Sequence, residues 1–269
     1  MLITFIGGGN MATALISGLL ESGDEELLVH VSEPSEEARE RLQSTLGVNT
    51  FSNAVEAVRG ADLIVLAVKP QVIPLVLDEL KGCLDSEQVI LSIAAGTTIA
   101  VIEKELGAGF AIIRSMPNTP ALIGEGISGA VAGRNCQKSH CDLAERVLGA
   151  AGEVIWVPEE SLMDVVTAIS GSGPAYFFLL AEALAEAGTR LGLPAEISRR
   201  LADQTCIGAG AMLKHSEAAA GELRKRVTSP GGTTQAALEA FAAGGFSGLV
   251  HRAAAAARQR GEELSETGN

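Results

Sequence analysis

Across the first 157 residues, short segments that are apolar at nearly every position alternate with segments that are apolar on one side only. The first kind predicts strands at 2–6, 27–32, 48–51, 63–68, 89–93, 111–114, 128–132 and 154–157, and the second predicts helices at 11–21, 35–46, 74–80 and 141–148. Strands without a polar face need cover on both sides, and strands alternating with helices read as βα units. The expectation is therefore an α/β fold with a parallel sheet. After Pro158 the strand-like segments stop, and Ala-rich and Leu-rich stretches follow, broken at Gly192-Leu193-Pro194 and Ser229-Pro230-Gly231-Gly232. Proline suits the first turn of a helix, so Pro174 predicts a helix to about Leu191, Pro194 the next start, and Thr233 opens a third. The expected division is an α/β domain over residues 1–160 and an all-α domain over 161–269.

Where the first predicted strand meets the first helix lies Ile6-Gly7-Gly8-Gly9-Asn10-Met11-Ala12. This is Gly-x-Gly-x-x-Ala in the strand-to-helix setting that dinucleotide binding requires. Gly7 allows the tight turn, Gly9 lets the backbone approach a pyrophosphate, and Ala12 lets the helix pack near the strand. The anion meets N–H groups at a helix start rather than lysines. The first domain is thus expected to be a Rossmann-type dinucleotide-binding domain. Cofactor choice is read about 20 residues on, in Val31-Ser32-Glu33-Pro34-Ser35. Glu33 would accept from a ribose 2′-OH and favour NAD; Ser32 and Ser35, with Arg39 one turn later, would hold a 2′-phosphate and favour NADP. Both stay open.

Ala67-Val68-Lys69-Pro70-Gln71 sits at the carboxyl end of the fourth strand, where open α/β sheets place ligands. Lys69, one of six lysines, would face the cofactor or a substrate carboxylate. Ser92-Ile93-Ala94-Ala95-Gly96 ends the fifth strand with small residues that suit a nicotinamide ribose. Arg114-Ser115-Met116-Pro117-Asn118-Thr119-Pro120 reads either as a rigid loop presenting polar groups or as a structural turn. In the helical half, Ser170-Gly171-Ser172-Gly173-Pro174-Ala175-Tyr176 and Val227-Thr228-Ser229-Pro230-Gly231-Gly232-Thr233-Thr234 each set hydroxyl residues and glycines before a predicted helix. A structural cap explains one such segment; two in a small domain point to anion binding. Gly208-Ala209-Gly210-Ala211 invites close approach by another helix. A helical half poor in large side chains is thin as an independent core, so it is expected to complete that core with a second subunit.

Composition narrows the partners. Asp and Glu number 33 against 20 Lys and Arg, a formal charge of −13, and aromatic residues are 3%. Such a surface repels phosphate backbones and offers little for bases to stack on, so no nucleic acid is expected. No charge-free apolar window reaches the roughly 18 residues of a membrane span, and the N-terminal segment has no basic region of a signal peptide, so a cytoplasmic chain without a membrane partner is expected. Cys83, Cys136, Cys141 and Cys206 form no Cys-x-x-Cys pair and the four His do not cluster, so neither metal nor disulfide framework is expected.

From the first strand to about Arg260, the sequence resembles the pyrroline-5-carboxylate reductases. The resemblance rests on five ordered blocks: Gly7-Gly8-Gly9-Asn10-Met11, Ala67-Val68-Lys69-Pro70, Arg114 to Pro120, Ser170 to Tyr176, and Ser229-Pro230-Gly231-Gly232-Thr233-Thr234. It implies a Rossmann domain followed by a helical dimerisation domain, with each active site between the nucleotide domain of one subunit and the helices of another. It also implies a homodimer whose copies assemble further into decamers. The implied reaction reduces the ring C=N bond of 1-pyrroline-5-carboxylate to L-proline, the last step of proline biosynthesis, with NADPH or NADH. Carried over by motif, Ile6 to Met11, Ser32, Asn53, Ala67, Val68, Lys69, Pro70, Ile93, Ala94 and Ala95 would line the cofactor. Glu217, Val227, Ser229, Pro230, Gly231, Gly232, Thr233 and Thr234 would line the substrate. The N–H groups of Gly231, Gly232 and Thr233 would take its carboxylate, and the Thr234 hydroxyl its ring nitrogen. A protonated cyclic imine is already electrophilic, so alignment is the main task and no metal is needed.

One departure stands out. The family usually has an acidic residue after Leu-Arg or Leu-Lys before this last block, whereas Leu223-Arg224-Lys225-Arg226 is basic. Two rivals are weighed. A β-hydroxyacid dehydrogenase would need a lysine early in the helical domain, but none occurs between Lys138 and Lys214. A non-catalytic redox sensor would not need Thr233-Thr234.

Overall fold

The computed structural model describes residues 1–267. All eight predicted strands form, with ends shifted by a residue or two: β1 (Leu2–Ile6), β2 (Leu28–Ser32), β3 (Asn49–Phe51), β4 (Leu63–Leu66), β5 (Val89–Ser92), β6 (Ala111–Met116), β7 (Gly126–Ala132) and β8 (Gly152–Trp156). They make one sheet in the order β3-β2-β1-β4-β5-β6-β7-β8. Helices α1 (Asn10–Glu21), α2 (Glu36–Leu46), α3 (Ala54–Ala57), α4 (Ile73–Leu80), α5 (Ile99–Leu106) and α6 (Lys138–Gly149) alternate with them.

The uniformly apolar strands are explained by cover on both faces. Within β4, Leu63 and Val65 join a core cluster with Leu15, Ile16 and Leu19 of α1. Their neighbours Ile64 and Leu66 join the opposite cluster with Ile73, Leu77 and Leu80 of α4. Successive strand residues point to opposite faces, so a run without polar gaps is what two covered faces require.

The parallel expectation fails at one place. β6 and β7 pair antiparallel, while β7 and β8 are parallel. The link over 117–125 holds only a 3-10 turn at Thr119–Ile123, too short for the crossover that a parallel pair needs, whereas α6 supplies that crossover between β7 and β8.

Past β8, a short α7 (Met163–Val166) runs into a π-helical turn at Thr167–Gly171 and then α8 (Gly173–Arg190). The stretch Glu160–Arg190 is long and apolar enough, by length and composition alone, to cross a membrane, with 17% of its 18-residue window buried. The charge-free count passed over it because Asp164 and Glu182 bound a shorter run. Then come α9 (Ala195–His215), α10 (Ala220–Arg226), α11 (Thr233–Ala243) and α12 (Phe246–Thr267). Contacts divide the chain into two compact units, one of residues 1–172 with the segment from Ala257 on, the other Gly173–Ala256.

In the second unit, α8 and α9 form a helical hairpin closed at Gly192 (φ +107). The two helices touch where Gly188 leaves no room for a Cβ beside Ser198, whose hydroxyl donates to the Ala185 carbonyl at 2.6 Å. Little else is enclosed: α9 buries Ser198 and Ala202, and α10 and α11 bury nothing.

Candidate active site

β1 and β4 are neighbours although β2 and β3 intervene in sequence. That reversal of strand order is where doubly wound sheets open a crevice. The turn leaving β1 fills its floor. Gly7 has φ +101, and a Cβ there would lie 2.8 Å from the Ala67 carbonyl oxygen, so only glycine fits. Gly8 is blocked by the Leu42 side chain, whereas a Cβ on Gly9 meets nothing within 4 Å. Gly9 caps α1 without a side-chain acceptor, and the first turn has no acidic residue. The first N–H groups of α1 therefore face the crevice with no partner from the helix itself, the arrangement that binds phosphate.

Above this turn lies a cavity of about 410 Å³. It brings together Ile6 to Gly9, Ser32, Glu33 and Ala67 to Lys69, all expected from the sequence to line a cofactor. Val72, Val76 and Glu79 also line it, and sequence reasoning missed them. Their spacing of four and three puts them on one face of the helix following the Lys69-Pro70 loop, a signal that was present but not used. Lys69 is the sole cation on this wall among the described residues.

Other expected cofactor residues fall elsewhere. Asn10 and Met11 head α1, with Met11 packed against the core. The Asn53 side chain accepts from the Glu56 N–H at 3.1 Å and caps α3, leaving its neighbours Ser52 and Ala54 to line the cavity. Ile93 and Ala94 are buried. Ala95 and Pro70 border a second cavity of about 290 Å³, with Gln71 and Leu264.

The Arg114 to Pro120 segment resolves toward structure. Arg114 is 4% exposed and donates to Glu160 at 3.0 Å, with Asp164 at 3.5 Å. Glu160 also accepts from the Ile99 N–H at 2.9 Å. Asn118 donates to the Ser170 carbonyl and accepts from the Ile127 N–H. These polar groups clamp α7 and the π turn onto β6 and β7. No local signal pointed to Glu160 and Asp164, because an acidic pair after a strand reads as solvated surface.

In the helical half two readings need correction. Ser170-Gly171-Ser172 is not the approach to a free helix start: Thr167–Gly171 is a π turn leading into α8, and the Ser172 N–H donates to the Thr167 carbonyl at 2.8 Å. Gly173 and Pro174 do open α8, but the π turn runs directly into it, so the start is not an open one. In the second segment, Ser229-Pro230-Gly231-Gly232 is a turn with Gly231 at φ +70 and the Gly232 N–H on the Ser229 carbonyl at 3.1 Å, the type II pattern. The Gly231 N–H is taken by the Gln235 side chain at 2.8 Å. Those two glycine N–H groups are thus engaged within the turn, and the open donors at this end of α11 belong to Thr233 and Thr234, since Gly232 caps the helix without a side-chain bond. Glu217 and Val227 are exposed and Thr234 is half-buried. The basic run lies in the last turn of α10, where cations complement the helix dipole, and Arg226 pairs with Glu222 at 3.8 Å.

A Rossmann sheet with an open phosphate cradle at its switch point, followed by a helical unit, defines a dinucleotide-dependent oxidoreductase. Residues 160–264 match the family model "Pyrroline-5-carboxylate reductase dimerisation", and residues 2–96 match "NADP oxidoreductase coenzyme F420-dependent". A pyrroline-5-carboxylate reductase of Pseudomonas aeruginosa is 46% identical over 98% of this chain and 97% of its own. A solved pyrroline-5-carboxylate reductase of Coxiella burnetii superposes with TM-score 0.93 at 41% identity, covering 98% of each chain. One of Plasmodium falciparum with NADP bound gives 0.84 at 31%, again over 98% of each. The chain belongs to the pyrroline-5-carboxylate reductase family.

Proposed function

We propose that this chain reduces the C=N bond of 1-pyrroline-5-carboxylate to L-proline, the last step of proline biosynthesis. The observation that carries this reading is the open helix start at Gly9 on the sheet's switch point, in a chain that aligns over 98% of its length with a reductase of this substrate. The residues fit a nicotinamide dinucleotide. The α1 N–H groups would take the pyrophosphate, Val72 and Val76 would offer an apolar wall to the adenine, and Glu33 would serve the ribose. When bound, that group would supply a hydride to the imine carbon; the C=N π pair would move onto the ring nitrogen as its lone pair, cancelling the iminium charge, and the nitrogen would keep its proton.

The chain's own work is positioning. Thr233 and Thr234 N–H groups at the start of α11 hold the substrate carboxylate, and the Thr234 hydroxyl bonds the ring nitrogen. Glu217, Val227 and the Ser229 turn form the surroundings of that site. The homodimer is supported by the large apolar side chains that the helical unit leaves exposed, among them Phe178 at 67% and Ile207 at 64%. Assembly of dimers into decamers follows the family resemblance, and the free thiols suit a reducing cytoplasm.

The test mixes the protein with NADH or NADPH and pyrroline-5-carboxylate and follows loss of nicotinamide absorbance and appearance of proline. Turnover with the imine, and none with a β-hydroxy acid and oxidised cofactor, is expected. The reverse pattern would replace this reading with the hydroxyacid dehydrogenase one, and binding of cofactor without turnover of either would favour a sensor.

A further inference from the structure

The end of β2 decides between two cofactors that differ by one phosphate, and the geometry there is one-sided. Glu33 is held in place from three directions. Its N–H donates to the Phe51 carbonyl at 2.8 Å. Its carboxylate accepts from the Gly8 N–H at 3.2 Å through one oxygen and from the Ser35 N–H at 3.1 Å through the other. The side chain therefore reaches back over the glycine turn and forms part of the nucleotide cavity wall. Each carboxylate oxygen has more than one acceptor site, so both keep capacity for a ribose hydroxyl.

Of the groups that would have welcomed a 2′-phosphate, Ser35 and Arg39 make other bonds and Ser32 is nearly covered. Ser32 is 5% exposed. The Ser35 hydroxyl accepts from the Ala38 N–H and caps α2. Arg39 directs one guanidinium nitrogen, Nη1, onto the carbonyls of Glu33 and Pro34, at 2.9 and 2.7 Å, which ties it to the backbone of the β2–α2 link. The start of α2, an anion site in many helices, carries Glu36 and Glu37 in its first turn. Glu79 adds another carboxylate to the cavity wall. A dianionic phosphate at this position would meet the fixed Glu33 carboxylate, a repulsive element of the kind that gives specificity, and an Arg39 tied to its own backbone through Nη1.

We propose that Glu33 makes this chain an NADH-preferring reductase, accepting from the adenosine ribose 2′-OH and excluding the 2′-phosphate of NADPH. The proposal rests on the reading of the crevice as a nicotinamide dinucleotide site. It makes Glu33 a specificity-determining residue, with no part in the hydride step.

Dissociation constants for NADH and NADPH, measured by nicotinamide fluorescence on the wild-type protein and on Glu33→Gln, test it. NADH is expected to bind the wild type more tightly, and the isosteric amide to narrow the ratio by about tenfold, the scale of one charge-assisted hydrogen bond. Competition by AMP and 2′,5′-ADP against NADH on the wild type needs no variant: AMP should compete better. Tighter NADPH binding by the wild type, or a ratio unmoved in Glu33→Gln, overturns the proposal while leaving the dinucleotide site in place. Binding of neither cofactor would overturn both.

Discussion

The carbonyl oxygen of Ala67 lies 2.8 Å from the position a Cβ on residue 7 would occupy, so Gly7 and Ala67 hold the ends of β1 and β4 in direct contact. Two residues on, Gly9 faces open space. The same motif thus contains one glycine required by the protein's own packing and one with open space beside it, where the proposed site would seat the pyrophosphate.

Substitutions at these two glycines should separate. Gly7→Ala combines φ +101 with a backbone clash and is expected to destabilise the fold by about 1–3 kcal/mol, visible as a lower Tm. Gly9→Val should leave Tm nearly unchanged and abolish dinucleotide binding, because its branched side chain fills the space over the α1 N–H groups. A normal NADH titration of Gly9→Val would contradict the assignment of the cradle.

Thr234→Ala is expected to lower kcat/KM for the imine by roughly tenfold to a hundredfold while leaving the cofactor dissociation constant unchanged. Thr234→Ser, which keeps the hydroxyl, should recover most of the loss. If the alanine variant turns over normally, the hydroxyl does not act on the ring nitrogen.

Burial pushes the Cys136 thiol up to about 11 from its ordinary 9.0, and its Sγ sits 3.2 Å from the Ile112 carbonyl. The neutral form is therefore the one the fold favours. Below pH 9 both folded and unfolded chains carry the neutral thiol and its contribution to stability is intact. As pH rises from 9 through 11 the unfolded chain ionises first, and that contribution is lost. The urea midpoint difference between the wild type and Cys136→Ala should shift against the wild type across this window and stay flat below it. Iodoacetamide at pH 8 should label exposed Cys83 well before Cys136.

What could be read without coordinates follows from which signals are local. The strands were legible because Leu63 to Leu66 must feed two cores at once, and the cradle because Gly7 to Ala12 is a contiguous motif. Strand direction is not encoded in apolarity, so the antiparallel β6–β7 pair depended on recognising that 117–125 is too short for a crossover. Pro174 correctly marked the first turn of α8, but nothing local showed that a π turn runs straight into it and takes up the Ser172 N–H. The clamp of Arg114 on Glu160 joins residues 46 apart in sequence, a distance at which an arginine's partner leaves no local trace. At Glu33 the sequence held a conflict, and what favours the NADH proposal is not local to it: Ser35 caps α2 and Arg39 bonds carbonyls through Nη1.

The helical unit leads to the last prediction. Its exposed side chains include Phe177, Phe178, Leu191 and Ile207, between 59% and 88% accessible, and a Cβ added at Gly208 or Gly210 would meet nothing within 4 Å. A unit that buries so little of its apolar surface cannot offset the entropy of ordering its helices, so its stability has to come from a second copy. Sedimentation at low micromolar protein is expected to show a dimer or a multiple of it, and Tm should rise with protein concentration, as mass action requires when folding and association are coupled. Phe178→Glu combined with Ile207→Glu places carboxylates on that face and should release monomers with a lower Tm. A wild-type monomer with a concentration-independent Tm would mean that the unit is stable by itself and that this apolar face has another use.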